Sequence, residues 1–243
     1  MSLCTTCMNR LWQLQQTIVQ NLQDNLCYPN FEYVLLDYNS NDDLEDWATF
    51  YLTKYAKMGV FKYYQTKIPK HFSAPHAKNI AHRCATGDII CNVDGDNFTG
   101  YGFCNFLNTM FNQDKNIVTE FVSEFDSESQ SSVGRIAMTK SNFVRLGGYN
   151  EDFSGMGWQD FDLVDRAHAM GLKKVYVPDM YFRKVVEQDE VDKVFNLPSN
   201  NLTNIHEITH ENAMKSKQNL KDGNLIANQG KEWGKAADLK RVL

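Results

Sequence analysis

Through the first 93 residues, short apolar runs alternate with stretches of helical periodicity, and that rhythm confines the chain to few folds. Residues 2–7 read as a short strand, after which Leu11, Leu14, Ile18 and Leu22 recur at the spacing of one helix face through about Asn25. FEYVLLD, residues 31–37, is a buried strand closed by the turn formers Asn39, Ser40, Asn41 and Asp42. Asp42 or Asp43 is placed to cap a helix running to Lys57, residues 60–65 make a third strand, and Pro75 opens a helix ending near Gly87. A fourth strand, 88–93, delivers CNVDGDNF, in which Asp94 and Asp96 flank Gly95. This alternation predicts an α/β fold, Rossmann-like, with a mostly parallel mixed sheet flanked by helices. Ligands bind such sheets beyond the carboxyl ends of the strands, so residues 5–10, 37–39 and 94–96 are expected to meet at one edge.

The second half is less regular. A helix is expected over 100–112, a strand over 116–122, a polar loop over 124–132, a strand over 134–139 and a short helix over 140–146 stopped by Gly147 and Gly148. A helix over 158–170 ends at Gly171 and a strand follows over 174–178, while beyond Lys193 the chain is polar and Asn-rich. There is no internal repeat and nothing resembling a linker, so one domain is expected.

With 25 Lys plus Arg against 30 Asp plus Glu, the chain lacks the basic excess that accompanies nucleic-acid binding, and no nucleic-acid partner is expected. No stretch approaches the roughly 20 apolar residues of a membrane span, and MSLCTTCMNR lacks the apolar core of a secretory signal. A cytoplasmic protein without a transmembrane segment is the expectation. Several of the six cysteines lie in apolar runs, which suits reduced core residues better than a disulfide framework. Cys4 and Cys7 form a CxxC, but no second CxxC and no nearby histidine completes a zinc site.

The DGD stretch has several readings. An EF-hand loop beginning at Asp94 would need an oxygen ligand at its fifth position, glycine at its sixth and glutamate at its twelfth, where Phe98, Thr99 and Asn105 stand. That reading fails. An Asp-Gly turn needs no metal, yet two carboxylates at a sheet edge repel unless a cation or hydrogen-bond donors lie between them. A hard divalent ion such as Mn²⁺ or Mg²⁺ takes a few carboxylates and keeps its other positions for water and phosphate oxygens. Gly95 would let the chain bend closely between the two acids.

Taken together, ordered motifs over most of the chain resemble the glycosyltransferases of the GT-A fold, in particular the family-2 enzymes and the related galactosyltransferase group. CTTCMNR, from Cys4, resembles the first strand and turn that contact uracil and diphosphate, which implies Thr5 and Arg10 in donor binding. VLLDYNSND, from Val34, is similar to VDNGSxD and implies Asp37 on the nucleobase with Asn39 beside it. PHAKNIA, from Pro75, resembles xARNxG with Lys78 at the basic position. ATGDIICNVDGD, from Ala85, is similar to AxGDYIxFLDxDD, implying that Asp94 contacts the nucleotide sugar and Asp96 the metal. GGYNEDF from Gly147, then GWQDFDL from Gly157 with Arg166, resemble GGYDExF…GWGxEDxDLxxR, which implies Asp160 as general base and places Trp158 and Gln159 on the acceptor side. Gln159 stands where that motif has glutamate. Finally His210, Asn219, Asn224, Asn228 and KEWG from Lys231 resemble the closing H…N…KWG segment, implying His210 as a metal ligand with His206 in reserve.

Read on their own, these residues keep bland alternatives. Asp160 opens a helix whose dipole favours its charged form, with or without catalysis. Trp158 offers either a sugar platform or a core side chain, Arg10 either a diphosphate contact or a solvated helix residue, and Asp162 pairs with Arg166 at i+4. The resemblance implies one GT-A domain over 1–243: a nucleotide-binding half over 1–98, an acceptor-side half over 99–195 and a metal- and donor-covering segment over 196–243. It further implies metal-dependent, inverting transfer of a sugar from a UDP-sugar to a saccharide or glycan acceptor, as in bacterial surface polysaccharide synthesis. A lipid-linked or cell-surface acceptor would go with peripheral membrane association. The rivals are a nucleotidyltransferase, which needs a glycine-rich phosphate loop that CTTCMNR lacks, and a catalytically silent nucleotide-sugar-binding module, which Gln159 would suit.

Overall fold

The computed structural model describes residues 1–122, 133–178, 184–187, 192, 194–197 and 202–243. The expected rhythm of the first half is present as β1 (Ser2–Cys7), α1 (Leu11–Asn25), β2 (Glu32–Tyr38), α2 (Leu44–Lys57), β3 (Phe61–Thr66), α3 (Ala74–Cys84) and β4 (Ile89–Asn92). There follow β5 (Asn97–Phe98), α4 (Phe103–Gln113), β6 (Ile117–Val122), β7 (Ala137–Thr139), α5 (Lys140–Arg145), α6 (Gln159–Ala169) and β8 (Lys173–Pro178). β9 (Lys184–Val185), α7 (Leu202–Lys221) and β10 (Lys240–Arg241) complete the described elements. The polar loop expected over 124–132 lies outside the described residues.

Among the described residues, eight strands join one sheet in the order β10-β3-β2-β1-β4-β7-β6-β8. The strands β3, β2, β1 and β4 run parallel, and β7 is inserted antiparallel between β4 and β6. All seven residues of β2 are buried, because helices cover both faces of the central strands. Its side chains alternate: Tyr33 and Leu35 join Leu14, Ile18 and Leu52 on one face, while Val34 and Leu36 join Ala77, Ile80 and Leu163 on the other. The CxxC is split by the same alternation. Cys4 packs in one layer and Cys7 in the other, and burial pushes the Cys7 thiol up to about 12. Neither redox nor zinc chemistry suits such a pair; all six cysteines are free.

Two expectations about helices are corrected. Neither Asp42 nor Asp43 caps α2 through its side chain; instead Asp42 Oδ2 accepts the Leu11 amide at 2.9 Å and closes the start of α1, where the helix dipole favours a carboxylate. The segment read as polar and Asn-rich holds the 20-residue helix α7. Its buried residues include Asn212, Ala213 and Ser216, which are small or polar, so no apolar stripe announces the helix. Asn212 secures it to the loop before α6, accepting from the Ser154 amide and donating to the Ser154 and Gly157 carbonyls.

Buried between the α3 and α5 segments, His82 stacks on Phe143 at 4.9 Å and donates from Nδ1 to the Lys78 carbonyl at 2.6 Å. Burial holds its imidazole down at about 4. A base whose folded value is depressed contributes stability above its unfolded value, near 6.5, that is lost as pH falls toward 4, here about 3 kcal/mol. Asp96, raised to about 6, runs the other way, adding stability that disappears as pH rises from about 4 to 6. Net wild-type stability therefore conceals the histidine. The difference between wild type and His82→Phe, followed by urea unfolding, is expected to shrink by about 3 kcal/mol between pH 7 and pH 4; a pH-independent difference would contradict a buried neutral imidazole.

Candidate active site

The carboxyl ends of β1 and β4 and the start of α6 enclose a cavity of about 270 Å³. One wall is the DGD loop. The Asn97 amide bonds the Asp94 carbonyl at 3.0 Å, so Asp94 to Asn97 is a tight turn. Gly95 is not the glycine that this turn demands, since an added Cβ would meet its neighbours no closer than 3.8 Å. Gly134 is: a Cβ there would fall 2.1 Å from Asp94 Oδ2, so only a bare backbone can cover that carboxylate.

The two acids differ in environment. Asp94 Oδ1 accepts from Asn92 Nδ2 at 3.0 Å and lies 3.2 Å from Lys78 Nζ; burial opposes its ionisation, but the Lys78 charge and these donors hold the carboxyl below the usual range. Asp96, whose Oδ1 accepts from Asn97 Nδ2 at 2.7 Å, is raised to about 6 by burial and by the neighbouring Asp94 charge.

The opposite wall carries Asp160, in the first turn of α6. Lys78 Nζ reaches both of its oxygens, at 2.9 and 3.2 Å, and so bridges Asp160 to Asp94. Burial alone would lower the Lys78 pKa, but the two carboxylates more than reverse this. Burial raises Asp160, and Lys78 restrains that rise. Gln159 Nε2 adds a second donor to Asp160 at 2.9 Å while its Oε1 accepts the Gly157 amide at 2.6 Å. A glutamate in its place could not donate and would set a second negative charge beside Asp160. Trp158, in the left-handed region at φ 67°, turns the chain into α6, its ring 5.1 Å from Phe161 with Lys217 Nζ 5.7 Å above it. Its indole N–H has no hydrogen-bond partner among the described residues. Gly157 packs so tightly on α7 that a Cβ would sit 2.3 Å from Thr209 Oγ1.

Residues 2–165, more than half of the chain, match the sequence model of glycosyl transferase family 2. The chain belongs to that family. Its activity class is therefore glycosyl transfer. Among solved structures, TarS of S. aureus in complex with UDP is 13% identical with a TM-score of 0.58, over 87% of this chain and 70% of that one. The mannosyltransferase PcManGT from Pyrobaculum calidifontis, in complex with GDP-Man and Mn²⁺, is 15% identical with a TM-score of 0.63, over 92% and 74%. GalNAc-T7 with UDP, GalNAc and Mn²⁺ is 16% identical with a TM-score of 0.62, over 73% and 42%. At such identities the likeness concerns the fold, which is GT-A. No curated protein matches the chain by sequence.

Of the family residues read from the sequence, Arg10, Lys78, Asp94, Asp96, Trp158, Gln159 and Asp160 line this one cavity. Three residues read as donor-binding, Thr5, Asp37 and Asn39, are not on the cavity wall. Thr5 is fully buried, its hydroxyl bonded to the Tyr33 hydroxyl at 2.7 Å and the Val93 carbonyl at 2.6 Å, so Thr6 rather than Thr5 faces the cavity. Asp37, 1% exposed, accepts from the Ser40 amide, Tyr63 Oη and Gln65 Nε2 and has no face toward the cavity. Asn39 turns the chain at φ 60° and donates to the Pro69 carbonyl. His210 and His206 are both exposed on α7, and neither is on the cavity wall. Sequence reading missed Asn196, which donates to the Met8 carbonyl and accepts from Asn9 Nδ2 at 2.7 Å each; a contact spanning 187 positions has no local signal.

Among the described residues, no three His, Cys, Asp or Glu side chains gather as a self-sufficient metal site. The DGD loop nevertheless fits a hard divalent ion that draws most of its ligands from water and phosphate, since burial and the Asp94 charge both raise Asp96 and a cation would offset that repulsion. No described helix is long and apolar enough to cross a membrane.

Proposed function

We propose that this family-2 enzyme transfers a sugar from a UDP-sugar to an acceptor hydroxyl on a saccharide or glycan, with inversion and with a divalent ion, Mn²⁺ or Mg²⁺. The observation that carries the reading is Lys78, whose single ammonium joins Asp94 of the DGD loop to Asp160 across the cavity. It sets a donor-side carboxylate and a base on facing walls.

Asp96, with Asp94 beside it, would hold the ion, which when bound supplies Lewis-acid stabilisation of the departing diphosphate. The chain's own residues do the rest. Asp160 takes the proton of the acceptor hydroxyl, whose oxygen bonds the anomeric carbon as the bond to the diphosphate breaks on the opposite face. The proton ends on the Asp160 carboxyl and the electron pair on the nucleoside diphosphate. Lys78 and Gln159 favour the ionised form of Asp160 against its burial and aim it, and Trp158 walls the acceptor side. The UDP complexes of TarS and GalNAc-T7 support a uridine donor, and GDP-Man in PcManGT marks the competing nucleotide. A surface polysaccharide is the acceptor class this reading favours.

Release of UDP, rather than pyrophosphate, from UDP-sugars in the presence of Mn²⁺ tests the reading. Chelation with EDTA is expected to reduce both donor binding and turnover at least about a hundredfold, with recovery on adding Mn²⁺. Unchanged binding and turnover under chelation would remove the role given to Asp94 and Asp96.

A further inference from the structure

A polar stripe runs along the buried face of α1 at every fourth residue: Gln13, Thr17, Asn21 and Asn25, each 2% exposed or less. Three of its rungs grip the segment that begins with the DGD loop. Thr17 Oγ1 donates to the Gly95 carbonyl at 2.6 Å, and Asn21 donates to the Asn97 carbonyl and accepts the Thr99 amide at 2.9 and 2.7 Å. Asn25 donates to Thr99 Oγ1 and accepts the Cys104 amide. The fourth rung, Gln13, lies one turn beyond Thr17, where that segment has ended and the cavity begins; Gln13 lines the wall with Arg10, Gly95 and Asp96. Its Nε2 is buried and has no hydrogen-bond partner among the described residues. An enclosed carboxamide with an unmade bond costs stability, which a chain keeps without return only if something else completes it.

We propose that Gln13 is a donor-binding residue, its carboxamide donating to an oxygen of the nucleoside diphosphate sugar bound beside the DGD loop. The inference rests on the nucleotide-sugar reading of the cavity. Gln13 stands on the cavity wall, and the lower rungs of α1 hold the helix, and Gln13 with it, in register on the loop. The chemistry recognised is a hydrogen-bond acceptor oxygen, and the diphosphate and the sugar each supply one.

Gln13→Leu, which keeps the volume, separates the possibilities by calorimetric titration with Mn²⁺ plus UDP or plus UDP-N-acetylglucosamine. Affinity is expected to fall about three- to tenfold, the value of one hydrogen bond. A loss for both ligands assigns the diphosphate, and a loss for the sugar nucleotide alone assigns the sugar. Because the rung is unpaired, the melting temperature of ligand-free Gln13→Leu is expected to equal or exceed that of wild type, whereas Asn21→Leu is expected to melt lower. Unchanged affinity for both ligands, or a Gln13→Leu protein that melts as low as Asn21→Leu, overturns the proposal. Wild-type protein that binds neither ligand overturns the nucleotide-sugar reading with it.

Discussion

Replacing Asp160 by asparagine is expected to lower the rate of sugar transfer by about a hundredfold to ten-thousandfold while leaving affinity for the donor nearly unchanged. The reasoning follows from where its charge sits. Asp160 occupies the wall opposite the DGD loop, in the first turn of α6, and its oxygens already receive Lys78 and Gln159. Asparagine preserves the size of the side chain but cannot take a proton from an acceptor hydroxyl. On the proposed reading donor binding rests with Asp94 and Asp96, so it should survive. Lys78 would lose one of its two carboxylates and turn more fully to Asp94, which gives a second sign: donor affinity shifts slightly, and the shift disappears in a Lys78→Met background. Steady-state kinetics with direct titration of UDP separates the two effects. Full transfer activity in Asp160→Asn would end the base assignment and return Asp160 to the role of a helix acid.

The largest stability loss is expected at Arg166. This side chain is 1% exposed, and its guanidinium donates to Asp162 Oδ2 at 2.7 Å, to the Leu146 carbonyl at 2.9 Å and to the Gly148 carbonyl at 2.8 Å. It thereby fastens α6, and Asp160 with it, to the turn made by Gly147 and Gly148. Arg166→Met would strand the fully buried Asp162 carboxylate and two carbonyls at once, and breaking one side of a buried ion pair costs about 3–5 kcal/mol. That is a large share of the roughly 5–15 kcal/mol that keeps a domain folded, so the variant is expected to accumulate poorly. Urea denaturation checks the figure; a loss below 1 kcal/mol would mean that water or rearrangement replaces the lost donors. The two variants differ in kind, since Asp160→Asn leaves Lys78 its ion pair with Asp94 and is expected to lose less stability than Arg166→Met while failing at transfer.

Much of this was legible in the residues. Alternating apolar runs and 3.6-residue periodicity report burial on one or two faces, and burial is what orders strands and helices in the first half of the chain. The DGD turn was likewise visible, because it follows the end of a strand, and Lys78 and Asp160 were visible through the family motifs they occupy, although Lys78 is buried in the middle of α3. Elements stabilised by polar contacts were not visible. Helix α7 buries Asn212 and Ser216 rather than leucines, so its inner face carries no hydrophobic signal. The polar stripe of α1 was hidden by the apolar stripe beside it.

The sequence by itself determined the α/β alternation, the family motifs and the identity of the acids that reach the cavity. Only the tertiary structure decided which polar side chains face the cavity and which serve the scaffold. Thr5 and Asp37 sit in family motifs, yet their hydrogen bonds go to Tyr33, Val93, Tyr63 and Gln65, whereas Gln13, in no motif, meets the cavity unpaired. The reason is that a polar group's role depends on the partners that reach it. Here those partners come from strands and loops tens of residues away, which spacing along the chain does not encode.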